Sequence, residues 1–350
     1  MTELPAAYYL PLGDGHFEPT EATTSPWDSG AQHGGPPTAL LASCLDDAFG
    51  RPGLRVARIS VDFLGPVPRI PSRVQTELLR PGRRTQLSEA SLWAGERRVA
   101  VARVWHLATG PGPEADATSR ARGNGAYPMG GPSAAPGGPS AAPGGSGSAP
   151  GGFGPALGDP GPTPGDPGPT PGDPGPRPEA EHATAGPVPV GDAGIAEYDA
   201  ALPGDLPDPQ PQLFFGDDDQ WGYGRATEWR TVSGGYASTT GAADVWTRVR
   251  IPLIAGRPLD GLARFAIVAD SANGLSAPLS FREWLFIPPG VTMHLHRYPA
   301  GEWVRLTANS DPGRDGIGLT DGALSDATGR CGTVTQPLLV TPRQARPPAP

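Results

Sequence analysis

The chain has 350 residues, enough for two or three domains with cores of their own, yet 51 are glycine and 47 are proline, a share that in an evenly mixed chain indicates disorder. A net charge of −9 excludes nucleic acid and anionic membrane surfaces as main partners, since both need clustered positive charge. Two cysteines, Cys44 and Cys331, are too few for a disulfide framework, and neither a basic-then-apolar start nor a run of about 18 apolar residues occurs, which reads as a cytoplasmic protein.

In chain order, the first foldable block opens at Gln32-His33-Gly34-Gly35. From His33 to Phe49 it places Leu40, Leu41, Cys44, Leu45, Ala48 and Phe49 at spacings of one, three and four. That spacing predicts an amphipathic helix with its prolines tolerated near the start. After Gly53 the period changes to two, with Ala57, Ile59, Val61 and Phe63 alternating against Arg58, Ser60 and Asp62. Further strands are expected at Arg73 to Leu79, Thr85 to Trp93 and Arg97 to Leu107, separated by the turn signals Pro81-Gly82 and Gly95-Glu96.

The excess of glycine and proline is concentrated in the middle. Between Gly123 and Gly194 they fill 39 of 72 positions, and from Gly130 to Pro178 the chain repeats every seven residues, from GGPSAAP to GDPGPRP. A coiled coil needs apolar residues at two of seven positions, which these units lack, and their prolines remove helical N–H donors. Residues 111–211 therefore read as a flexible linker, a repeat tolerated in a connection because loop-closure entropy grows slowly with length. A docking arm for a partner that binds extended proline-rich ligands is the alternative.

The second block repeats the order of the first. Leu259 to Ala272 is expected to be one helix capped by Gly274, with Leu259, Ala263, Ala266 and Asp270 along its buried stripe. Strands follow at Trp284 to Ile287, Val291 to Arg297, Glu302 to Asn309, Gly316 to Leu324 and Thr333 to Val340. An offset of 233 aligns Pro66 with Pro299 and Arg103 with Gln336. The expected fold is α+β and duplicated: two helices, each wrapped by a curved antiparallel sheet, in halves spanning 1–110 and 212–343 with a 344–350 tail.

Two polar residues stand out because they fall on buried faces. Asp270 lies near the end of its helix, where burial and the helix dipole both disfavour a carboxylate, so it needs a partner; nearby backbone or Asn273 would serve. Gln336 shares a strand face with Val334, Leu338 and Val340, where its amide must also be satisfied. Arg103 reads as a snorkelling side chain or a counter-ion. His294 and His296 lack a third ligand at a recognisable spacing, and no metal or cofactor is expected. The acidic run Asp217 to Asp219 reads as a solvated loop.

The segments SPWDSGAQHGGPPTALLA, GEWVRLTANS, DGIGLTDGALSDATGRCG and TQPLLVTPR resemble the acyl-CoA thioesterase-like, double-hotdog family that is widespread in actinobacteria and related to bacterial acyl-CoA thioesterase II. The likeness covers about Phe17 to Thr109 and Leu213 to Arg343. It implies hydrolysis of an acyl thioester, on CoA or on an acyl carrier protein, with Asp270 and Gln336 activating water and homo-oligomers left open. His33, Gly34, Gly35 and Asn273 become candidates for substrate contact and an oxyanion hole, because glycines admit the thioester and N–H groups at a helix start polarise its carbonyl. One member departs from the pattern: where the thioesterase II enzymes carry a threonine this chain has Pro288 or Pro289, and Thr292 is the nearest substitute. Binding without hydrolysis, or dehydration or cyclisation of a thioester, stay as alternatives.

Overall fold

The computed structural model describes residues 3–110, 202–209, 221–235 and 240–343. The seven-residue repeats, Asp217 to Asp219, most of the 111–211 connection and the 344–350 tail lie outside the described residues. The first half contains β1 (Tyr9–Gly13), β2 (His16–Pro19), α1 (Gly35–Phe49), β3 (Leu54–Phe63), β4 (Ser72–Arg80), β5 (Thr85–Ala94) and β6 (Arg97–Ala108). In the second half come α2 (Gly222–Ala226), β7 (Thr227–Gly234), β8 (Ala242–Val249), α3 (Gly261–Ala269), α4 (Ala272–Leu275), β9 (Trp284–Ile287), β10 (Gly290–Leu295), β11 (Trp303–Asp311), β12 (Ile317–Asp326) and β13 (Gly329–Pro342).

The strands form one antiparallel sheet whose order mirrors itself: β1-β2-β4-β5-β6-β3 runs into β10-β13-β12-β11-β8-β7, with β9 added to β13. The mirror line is the β3–β10 pairing, where Val61 faces Val291 and Ile59 faces Met293. These four side chains are buried beneath the helices, so hydrophobic burial joins the halves at their shared strand pair. Helix α1 rests on β3 to β6, α3 rests on β8, β11 and β12, and the two helices pack on each other. The first nine residues of α1, Gly35 to Ser43, are all buried, because this segment touches both a sheet and a second helix. This is the double-hotdog arrangement.

Four expectations change. The helix written as Leu259 to Ala272 is broken: α3 starts after Asp260, whose side chain caps it by accepting from Ala263 N–H at 2.7 Å, and stops at Asp270. Gly274 lies inside the short α4 rather than capping the helix. Ala57 leaves the alternation because a β-bulge between Val56 and Arg58 inserts one residue and buries Val56 together with Ile59. Finally, Ala100, Ala102 and Val104 face inward on β6, as Val334, Gln336 and Leu338 do on β13. An odd offset of 233 cannot relate these sets, since strand faces alternate with period two. Arg103 accordingly points outward and pairs with Glu89 at 2.7 Å.

Candidate active site

The approach to α1 is pinned from three sides. Tyr9 Oη donates to Gln32 Oε1 at 2.6 Å, Gln32 Nε2 donates to the Pro68 carbonyl at 2.9 Å, and His33 N–H donates to the Thr23 carbonyl at 2.7 Å. With its backbone fixed, His33 stacks flat on Tyr223, ring centroids 3.8 Å apart and planes within 3°. Tyr223 is itself held by hydrogen bonds to the Ile267 carbonyl at 2.9 Å and Ser271 Oγ at 2.6 Å.

Gly34 and Gly35 are glycines because α3 comes too close for anything larger. A Cβ on Gly34 would lie 2.8 Å from Asp270 Oδ2, and one on Gly35 would lie 2.9 Å from the Ile267 carbonyl. No side chain caps α1, and Pro36 and Pro37 bring no N–H, so the donors at this helix start reduce to Gly34 and Gly35. Gly35 N–H donates to His33 Nδ1 at 3.2 Å and also lies against the Asp270 carboxyl. Gly34 N–H has no partner among the described residues.

Asp270, which is 4% exposed, closes the gap between the two helices. Its Oδ2 is 3.1 Å from His33 Nδ1, and its Oδ1 accepts from Gln336 Nε2 at 3.3 Å. Gln336 is fully buried, and its Oε1 accepts from Asn273 N–H at 3.1 Å. The Asn273 side chain donates onward to the Phe286 carbonyl at 3.2 Å. Burial pushes the Asp270 carboxyl up to about 8, with Gly35 N–H opposing, and burial pushes His33 down to about 3. Although a histidine beside an aspartate suggests an ion pair, both shifts favour uncharged partners. Both shifts put the proton shared between the His33 ring and the carboxyl on Asp270 at neutral pH.

A cavity of about 420 Å³, counting the open space at its mouth, adjoins this cluster. His33, Ser271 and Asn273 form its polar side, and Trp27, Tyr223 and Phe281 stand among its aromatic walls. Of the sequence candidates, the structure brings together Asp270, Gln336, His33, Gly34, Gly35 and Asn273. Thr292 stays apart: it pairs with the exposed Thr335, so both point to the outer face of the sheet, opposite to Gln336. His294 and His296 are exposed as well. Sequence reasoning missed Tyr223 and Ser271, whose contacts to His33 and α3 span long chain separations, and it missed the cavity aromatics.

Both halves match known domains: residues 23–107 match the acyl-CoA thioesterase N-terminal domain and residues 201–340 the acyl-CoA thioesterase C-terminal domain. No curated protein sequence is detectably similar. Among solved structures, similar folds occur in a hot-dog-fold protein of unknown function from Alicyclobacillus acidocaldarius, at TM-score 0.55 and 14% identity over 95% of this chain and 96% of that one. A protein from Thermobifida fusca described as a thioesterase II gives TM-score 0.54 and 15% identity over 96% of each chain. An acyl-CoA thioesterase II from Mycobacterium marinum gives 0.50 and 14% over 96% of each. With each half of the mirrored sheet carrying its own matched domain, the chain belongs to the acyl-CoA thioesterase family of hydrolases.

Proposed function

We propose that this chain hydrolyses acyl-CoA thioesters at the junction of α1 and α3, with Asp270 and His33 acting as one proton-accepting unit and Gln336 fixing Asp270 in place. The supporting observation is a desolvated carboxylate held by an amide on one side and an imidazole on the other, beside a cavity. In the form lacking the shared proton, Asp270 is ionised and the pair takes a proton from a water as its oxygen adds to the thioester carbonyl. Gly34 N–H is the donor left to stabilise the resulting oxyanion. Collapse of the intermediate breaks the carbon–sulfur bond, the pair returns the proton to the departing sulfur, and the products are a free acid and CoA thiol. Thr292, on the outer face, takes no part in this scheme.

The test is thiol release from a panel of acyl-CoA esters by the full chain and by Asp270→Asn. Hydrolysis by the parent and a loss of at least about 100-fold in the variant is the expected result for removal of a general base; equal rates end the proposal. A second reading, binding without turnover, draws on the proton that Asp270 holds at neutral pH. Intact acyl-CoA bound stoichiometrically, with no thiol released even above pH 8, would favour it.

A further inference from the structure

The walls of the cavity beside Asp270 carry information about the acyl group. Among the described residues, five of its lining side chains are Trp27, Trp221, Tyr223, Trp229 and Phe281, whereas Leu275 is the one aliphatic chain of comparable size. The rings occupy ordered positions. Trp27 meets Phe281 edge-on at 4.9 Å and 70°, while Trp221 lies nearly parallel to Trp229 at 6.0 Å and 19°. On the opposite side the His33–Tyr223 stack forms the wall nearest the carboxyl. Aromatic side chains thus make up most of the bulky lining, and the polar groups are His33, Ser271 and Asn273.

That division suits a ligand whose thioester reaches the polar side while a flat, π-bearing group fills the aromatic part. Aromatic quadrupoles reward edge-to-face and offset contacts, which a saturated ring or chain of equal size cannot supply. Among the described residues no carboxylate lines the cavity. From the aromatic lining we infer that the enzyme takes aryl or arylalkyl acyl thioesters, of the benzoyl or phenylacetyl type, in preference to saturated ones. This inference rests on the hydrolase reading above for the identity of the thioester.

The experiment compares matched pairs on the full chain: benzoyl-CoA against cyclohexanecarbonyl-CoA, and phenylacetyl-CoA against cyclohexylacetyl-CoA, with palmitoyl-CoA as the long-chain reference. In each pair the aryl member is expected to have the higher kcat/KM by about three- to tenfold, the range that one or two aromatic contacts supply. Trp27→Leu should bring the ratio towards one. Ratios at or below one in the parent, or palmitoyl-CoA as the best substrate, overturn the inference while leaving hydrolysis standing. If no ester is cleaved, the hydrolase reading fails, and the same pairs are compared by equilibrium quenching of tryptophan fluorescence. Tighter binding of the aryl members then upholds the aromatic preference, and equal or weaker binding overturns it.

Discussion

Replacing Asp270 by asparagine should stabilise the protein, and increasingly so as pH rises. Asparagine reproduces the protonated carboxyl: its oxygen accepts from Gln336 Nε2 and its amide donates to His33 Nδ1, as the acid does at neutral pH. In the unfolded chain Asp270 titrates near 3.8, and in the folded chain at about 8. Between those values the folded state binds the extra proton, so wild-type stability falls as pH rises, by about 1.4 kcal/mol per pH unit, and levels off above pH 8. Asparagine removes that slope. His33 works in the opposite sense, because its folded value of about 3 lies below the ordinary 6.5. Its contribution is complete above pH 6.5 and is lost as pH falls towards 3, equally in both proteins, so it cancels in the comparison. Urea unfolding at pH 5, 6, 7 and 8 should show the variant ahead by about 2 kcal/mol at pH 5 and about 5 kcal/mol at pH 8. A difference that stays flat with pH, or a wild type that is the more stable at pH 8, would refute the assignment of the proton to Asp270.

The same titration governs the rate. Hydrolysis should rise about tenfold per pH unit below pH 8 and reach a plateau above it, because only ionised Asp270 accepts a proton from water; a pH-rate profile that falls between 6 and 8 would remove Asp270 as the base. Gly35→Ala pushes a methyl to 2.9 Å from the Ile267 carbonyl and should cost about 1–3 kcal/mol in unfolding free energy, read by urea denaturation. Tyr223→Phe keeps the ring under His33 but leaves Ser271 Oγ without its 2.6 Å partner, and about 1–3 kcal/mol of stability should be lost by the same measurement. Deleting the seven-residue repeats, Gly130 to Pro178, should leave both Tm and hydrolysis rate at parental values, and a large loss of either would show that the repeats do more than connect.

Period and spacing were enough for the elements that bury one face. Strand β9 begins and ends where Trp284 and Ile287 predict, and β5 and β6 differ from expectation by a residue at one end; in β5, which packs on α1, side chains alternate strictly between the two faces. The strands β1, β2, β7 and β8 escaped notice. Four of the five residues of β1 are exposed, and β2 and β7 alternate too weakly to signal a strand. Asp270 and Gln336 were legible as polar residues on apolar stripes. Their neighbours were not, since Tyr223 lies 190 residues from His33 and only tertiary packing stacks them. Gly34 and Gly35 were noticed for a substrate's approach, whereas the structure shows them making room for α3 and its carboxyl.

The mirrored sheet raises the question of how its two helix junctions differ. Each half ends a helix near a carboxylate that touches an inward polar residue of its last long strand: Asp270 with Gln336, and Asp46 with His106 Nε2 at 3.0 Å. The environments then diverge. The Asp46 side chain is 35% exposed and the Asp270 side chain 5%, so water solvates one carboxylate and is stripped from the other. The opposing helix starts diverge as well. At α3 the side chain of Asp260 consumes the first-turn donor and adds a negative charge, which would repel an oxyanion. At α1 glycines replace the cap, leaving Gly34 N–H without a partner among the described residues and admitting Asp270 to within 3.1 Å of His33. Duplication supplies two such junctions, and the glycine pair at the start of α1 together with the buried carboxylate at the end of α3 sets apart the one at which hydrolysis is proposed.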